Sequence, residues 1–247
     1  MRIFLSVLAW LTAALPVFAE DYLEPRLLTG AIYDKPDGRL LFTFRRSATR
    51  TGEVVSVLRE FRNPDGSAAA EERVLYQRGH LMRFELSEQQ VGASGSARVE
   101  EAANRRRRID FQYTTGSGSG AKTRQNVETV REVPLINDML PGFLVEHWDE
   151  LNRGETLRFR YILVPRLETI GFKLRRESVD EFHGKKVLRV KMEPASRLIA
   201  QFLDPLLFTV EVDSPHRILQ YWGRTTPKIR KGQEWQDLDG VTVFNWE

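Results

Sequence analysis

Four histidines, His80, His147, His183 and His216, are the side chains best suited to acid–base or metal chemistry, and they share no spacing. The densest titratable run is Glu146-His147-Trp148-Asp149-Glu150. It lacks a second histidine one helical turn away, which a zinc-protease helix needs to turn two imidazoles toward one metal. His147 therefore reads as a helix-face residue. No Gly-x-Ser-x-Gly elbow or dinucleotide glycine box is present, and Gly116-Ser117-Gly118-Ser119-Gly120 lacks the lysine and following helix of a phosphate loop. The absence of cysteine excludes disulfides, thiol catalysis and thiolate metal sites. Asp138, Asp204 and Asp213 each stand beside an expected helix end or turn, where a short carboxylate can accept from backbone N–H groups. No catalytic residue, metal ligand or cofactor is nominated on this basis. Folding could still assemble a carboxylate pair of the glycosidase kind, but the pattern singles none out.

The elements that must position any site are mainly strands. Apolar and polar residues alternate with the period of two that a half-buried strand requires. Leu40, Phe42 and Phe44 form one such set, Val55, Val57 and Phe61 a second, and Met82, Phe84 and Leu86 a third. Ile109/Phe111/Tyr113, Leu157/Phe159/Tyr161/Leu163, Leu188/Val190/Met192 and Phe208/Val210/Val212 continue the pattern. Turn signals such as Asn63-Pro64-Asp65-Gly66, Arg78-Gly79 and His183-Gly184 fall close between them, which favours antiparallel hairpins over parallel crossovers. Thr114 to Gly120 reads as a long hairpin loop within the same sheet. The expected fold is mainly β: one strongly curved antiparallel sheet, an open barrel, with two short helices packed on or inside it.

Those helices are placed at 137–151 and 196–203. In the first, Leu140, Phe143, Leu144, Trp148 and Leu151 recur at three and four, with Asn137 or Asp138 as cap and Pro141 in the first turn. In the second, Ser196 can cap a turn that carries Leu198, Ile199, Phe202 and Leu203 on an apolar, buried side. Phe143, Trp148 and Phe202 are large enough to plug or gate an apolar pocket, and they are candidate ligand-binding residues. The plainer reading is that they fill the core. An empty cavity of several hundred Å³ would separate the two.

Charge adds a second candidate surface. Arg158, Arg160, Lys173, Arg175, Arg189 and Lys191 fall on three successive expected strands, each alternating with the buried set. If those strands form a meander, the cations share one face. Arg158, Arg160, Arg175 and Arg189 are then candidate contacts for an anionic lipid or envelope component, a peripheral membrane contact, unless Glu155, Glu168, Glu177, Glu193 and Glu211 neutralise them. Arg105-Arg106-Arg107-Arg108 is read as the outer face of a hairpin answered by Glu100 and Glu101.

Residues 1–19 have the parts of a cleavable secretion signal: Arg2, an apolar run from Ile3 to Leu15, and Val17-Phe18-Ala19 before Glu20. The expected domain spans 20–247. Arg2 is the leader's only charged residue, so 37 basic and 34 acidic residues become 36 and 34, a nearly neutral balance. With no recognisable binding module, that balance argues against nucleic acid as a partner.

Thr29-Gly30-Ala31-Ile32-Tyr33, Gly38 to Phe42, Asn63 to Gly66, Phe143 to Leu151, Gly154-Glu155 and Leu206 to Gly223 together resemble a family of uncharacterised exported proteins of Gram-negative bacteria. In outline that family is similar to envelope proteins in which a curved sheet wraps a helix, as in lipoprotein carriers. The resemblance implies a periplasmic address and an apolar cavity. It supplies no catalytic residue. The function expected is a non-enzymatic binding or envelope-maintenance protein holding a lipid or acyl group. A secreted hydrolase of envelope polymers and a structural partner in an envelope complex are the alternatives, and the oligomeric state stays open.

Overall fold

The computed structural model describes residues 22–36, 38–196, 198–201 and 204–246. The leader and Phe202 lie outside them. The first half of the chain is a meander of hairpins: β1 (Leu27–Tyr33), β2 (Leu40–Thr51), β3 (Val54–Arg62), β4 (Ala68–Gln77), β5 (His80–Glu88), β6 (Ala93–Ala102), β7 (Arg106–Thr115) and β8 (Lys122–Val130). A crossover follows, carrying β9 (Pro134–Leu135), α1 (Leu140–Glu146) and α2 (Trp148–Asn152). The second half is another meander: β10 (Leu157–Leu163), β11 (Glu168–Phe182), β12 (Lys185–Pro194), β13 (Leu206–Glu211), β14 (Ile218–Lys231) and β15 (Glu234–Asn245).

All fifteen strands form one sheet in the order β8-β7-β6-β5-β4-β3-β2-β1-β15-β14-β13-β12-β11-β10-β9. The chain therefore walks outward from β1 to one edge, crosses to the other edge, and walks back until β15 pairs with β1. Every pairing is antiparallel except the short β9–β10 contact. Two-residue turns set the hairpins where expected. Arg78-Gly79 and His183-Gly184 have positive φ at both positions, the conformation whose twist matches a two-residue hairpin.

Curvature brings the edges together. Side chains of β8 bond to the backbone around the β10–β11 turn: Asn126 Nδ2 donates to the Leu167 carbonyl at 2.9 Å, and the Thr169 amide donates to Glu128 Oε2 at 2.9 Å. Val164, at the tip of that hairpin, is buried against β6 and β7. A Cβ on Gly95 would lie 2.5 Å from Val164 Cγ1 and 2.7 Å from the Gln112 carbonyl, so the sheet can close this far only over a glycine. A second clasp spans the concave side. Gln90 exchanges two hydrogen bonds with the backbone of Lys228, at 3.0 and 2.8 Å, as a strand neighbour would.

The mainly β architecture with two short helices is as the periodicity implies, but three details differ. Met82 is not in phase with Phe84, because Tyr76 pairs with Leu81 and Leu75 with Arg83, leaving Met82 as the extra residue of a bulge. Leu81, Phe84 and Leu86 are the buried set. The helix expected at 137–151 begins as a 3-10 turn, Asn137–Met139, and breaks at His147 into α1 and α2. The segment expected at 196–203 contains a 3-10 turn, Ile199–Gln201, and Leu198 is exposed rather than buried. The turn reads Ile199-Ala200-Gln201, with Ile199 as its one large apolar residue, too little to fix an inner side.

Candidate functional site: an interior cavity

Alternation along the central strands turns Leu28 and Ile32 of β1, Phe44 and Arg46 of β2, Arg59 and Phe61 of β3, and Thr242 and Phe244 of β15 to the concave side. Opposite them, α1 presents Leu140, Pro141 and Val145. The two layers do not meet completely. Between them lies a cavity of about 510 Å³, walled largely by these apolar side chains with Phe208 and Tyr221.

One end of the cavity is ionic. In the register of β2 and β3, Arg46 stands directly opposite Arg59, just as Phe44 stands opposite Phe61. Like charges facing across a sheet repel, and both of these are shielded from water. Two carboxylates resolve the conflict. Glu72, opposite Arg59 on β4, accepts a short hydrogen bond from Arg59 Nη1 and another from the Thr226 hydroxyl. Asp138 arrives from the crossover and accepts from Arg46 Nε at 2.7 Å and Arg46 Nη2 at 3.1 Å, a forked pair. Its Oδ1 also lies 4.0 Å from Arg59 Nε.

The remaining valences of this cluster are filled. Arg46 also donates to the carbonyls of Tyr22, at 2.6 Å, and of Pro25. Tyr76 donates its hydroxyl to Asp138 Oδ2 at 2.9 Å and stacks on Tyr22 with ring centroids 4.2 Å apart. Burial, with Asp138 beside it, pushes the Tyr76 phenol well above its ordinary pKa of 10.0. Burial opposes the charge on Arg59, but Glu72 and Asp138 outweigh it and hold the guanidinium above its ordinary value. The cluster sets two guanidinium groups against two carboxylates. Asp138 is thus no helix cap, as its position before α1 suggested: α1 has no side-chain cap.

The other end of the cavity is bounded by the β13–β14 turn. His216 and Arg217 lie there, and Arg217 sits 5.8 Å over the ring of Trp246, whose indole N–H donates to the Ile218 carbonyl at 2.7 Å.

The candidate ligand residues are placed apart. Trp148 and Phe143 are not in the cavity wall. Trp148 is buried between the helices and the second meander, stacked on His216 at 3.9 Å, with Leu144 and Leu151 fully buried on the same face. Phe143 packs on Phe159 and His147. The segment they share does reach the cavity, but through its other residues. The four histidines are scattered: His80 is exposed at the start of β5, His183 is exposed in a turn, and His147 lies 3.5 Å from Glu150.

The cationic strands do pair as a meander, β10 to β12. Glu193 gathers Lys173 at 3.0 Å, Lys191 at 3.4 Å and Arg175 at 3.7 Å, and Lys173 foremost among them holds its carboxyl below the ordinary range. Arg160 turns onto Thr169, and Arg189 lies over the Phe182 ring and 3.5 Å from Asp180. Arg158 is exposed opposite Lys173. In the run 105–108, Arg107 pairs with Glu101 and Arg108 with Asp110.

These features define the protein's class: a curved, mainly antiparallel fifteen-strand sheet around an amphipathic internal cavity. No protein-family model matches the chain, and neither a curated protein nor a solved structure does.

Proposed function

We propose that this protein is a non-enzymatic holder of a lipid or acyl group, exported by its leader to the periplasm of a Gram-negative cell. The observation that carries this reading is the cavity. At about 510 Å³ it falls among small-molecule sites, which run from about 300 to 1,000 Å³ and combine apolar walls with a few fixed polar groups.

The hydrolase alternative is less well supported. It needs a carboxylate free to take or give a proton at a substrate. The buried acids among the described residues are committed: Asp138 to Arg46, Glu72 to Arg59, and Glu88 to the Tyr113 hydroxyl and to Lys228 at 3.3 Å.

Titration with cis-parinaric acid, a fluorescent single-chain fatty acid, tests the reading. Delipidated protein is expected to bind one probe per chain. Thr242→Trp, which puts an indole into the cavity, is expected to weaken binding at least tenfold while the circular dichroism spectrum is kept. Equal binding by both proteins, or none by either, would refute the assignment.

A further inference from the structure

We infer that the cavity is shaped for a single-chain acyl monoanion, with its head group held at Arg217 and Trp246 and its chain along Leu28, Ile32, Phe44 and Phe244. The inference rests on the binding reading above and specifies the ligand class.

Charge bookkeeping within the wall locates the head group. The charged side chains lining the cavity are Arg46, Arg59, Arg217, Arg224, Asp138 and Glu24, the last paired with Arg26 at 3.3 Å. Arg46 is taken by Asp138, Arg59 by Glu72, and Arg224 by Asp237 together with Asp239 at 2.9 Å. Arg217 has no acidic partner among the described residues. Its guanidinium instead rests on the Trp246 ring, which is fixed by its own hydrogen bond to the Ile218 carbonyl. Among the described residues, no side-chain hydrogen bond or ion pair takes the Arg217 N–H donors, which can therefore fork onto a carboxylate or a phosphate oxygen. Arg217 is half-buried, so it stands where the cavity meets solvent, as a head-group site must.

Register then runs the chain inward. Thr242, Phe244 and Trp246 alternate with outward residues and so form one row along β15 and its end, leading from Arg217 into the apolar wall. The Arg46–Asp138 pair and Arg59, held by Glu72, also line the cavity and offer no unpaired charge to a second head group.

Volume sets the number of chains. A methylene fills about the space of a liquid water molecule, about 30 Å³. A cavity of about 510 Å³ matches the scale of one acyl chain.

The experiment compares cis-parinaric acid with its neutral primary alcohol on wild type, Arg217→Gln and Arg217→Lys, with dioleoyl phosphatidic acid as a two-chain competitor. Wild type is expected to prefer the acid about tenfold, equivalent to about 1.4 kcal/mol. Arg217→Gln should lose that preference while binding the alcohol unchanged, and Arg217→Lys should retain part of it. The two-chain lipid should not displace the acid. Equal affinity of wild type for acid and alcohol, or an equal loss of both in Arg217→Gln, overturns the head-group assignment while leaving the pocket reading intact. Displacement by the two-chain lipid overturns the chain count. Binding of neither probe overturns this inference and the pocket reading together.

Discussion

Asp138→Ala is expected to destabilise the protein by about 3–5 kcal/mol, the range for removing one partner of a buried ion pair. The substitution leaves the Arg46 guanidinium, only 5% exposed, with two carbonyls and no counter-charge. It also removes the acceptor of the Tyr76 hydroxyl and leaves Glu72, on Arg59, as the one carboxylate offsetting the opposition of Arg46 and Arg59 across β2 and β3. Asp138 is the point at which the crossover is fastened to the first meander, so the loss should appear as one cooperative shift in urea unfolding. The double variant Asp138→Leu with Arg46→Met should be less destabilised than Asp138→Ala, because a buried pair replaced whole by apolar groups escapes the cost of a stranded charge. A loss below about 1 kcal/mol for Asp138→Ala would show that water reaches Arg46.

Trp148→Ala is expected to cost about 3–5 kcal/mol, the range for truncating a large buried aromatic. Trp148 is 8% exposed and lies between two fully buried leucines, Leu144 and Leu151, so collapse around the deletion is limited by side chains already packed. Its partner His216 adopts a left-handed backbone, φ 58°, which a residue with a Cβ holds only under constraint from its surroundings. Removing the indole frees that turn, and Arg217 is the next residue. Acyl-probe binding should therefore weaken in Trp148→Ala although Trp148 does not line the cavity. Trp148→Phe, which keeps a ring on His216, should recover part of both stability and binding. A stability loss below about 1 kcal/mol would place Trp148 at the surface.

Much of the scaffold is legible as period-two alternation. Val55, Val57 and Phe61, or Leu188, Val190 and Met192, read as inward sets and are inward. What alternation cannot register is a bulge. One extra residue at Met82 reverses the phase of everything before it, and the reversal depends on pairing with β4 rather than on β5 itself. The cavity's ionic end was hidden for a related reason. Arg46 and Arg59 fall in phase with the inward sets of their strands, but alternation names no partner for them, and Asp138 looks like a cap. Only the β2–β3 register, two arginines face to face, creates the demand that Asp138 and Glu72 meet. A faint signal existed: Arg46 stands two residues from Phe44 and Ala48, in phase with buried residues on both sides. The helix segment stands out in the sequence for its aromatics, but it touches the cavity through Leu140, Pro141 and Val145, because the break at His147 turns Trp148 away.

Native mass spectrometry of the protein purified from its host's envelope, before and after organic extraction, tests the central claim most directly. The account predicts one non-covalent adduct per chain, lost on extraction and recovered in the solvent as a single-chain acyl compound. A chain that carries no adduct as isolated, and takes up none when returned to an envelope lipid extract, would contradict it.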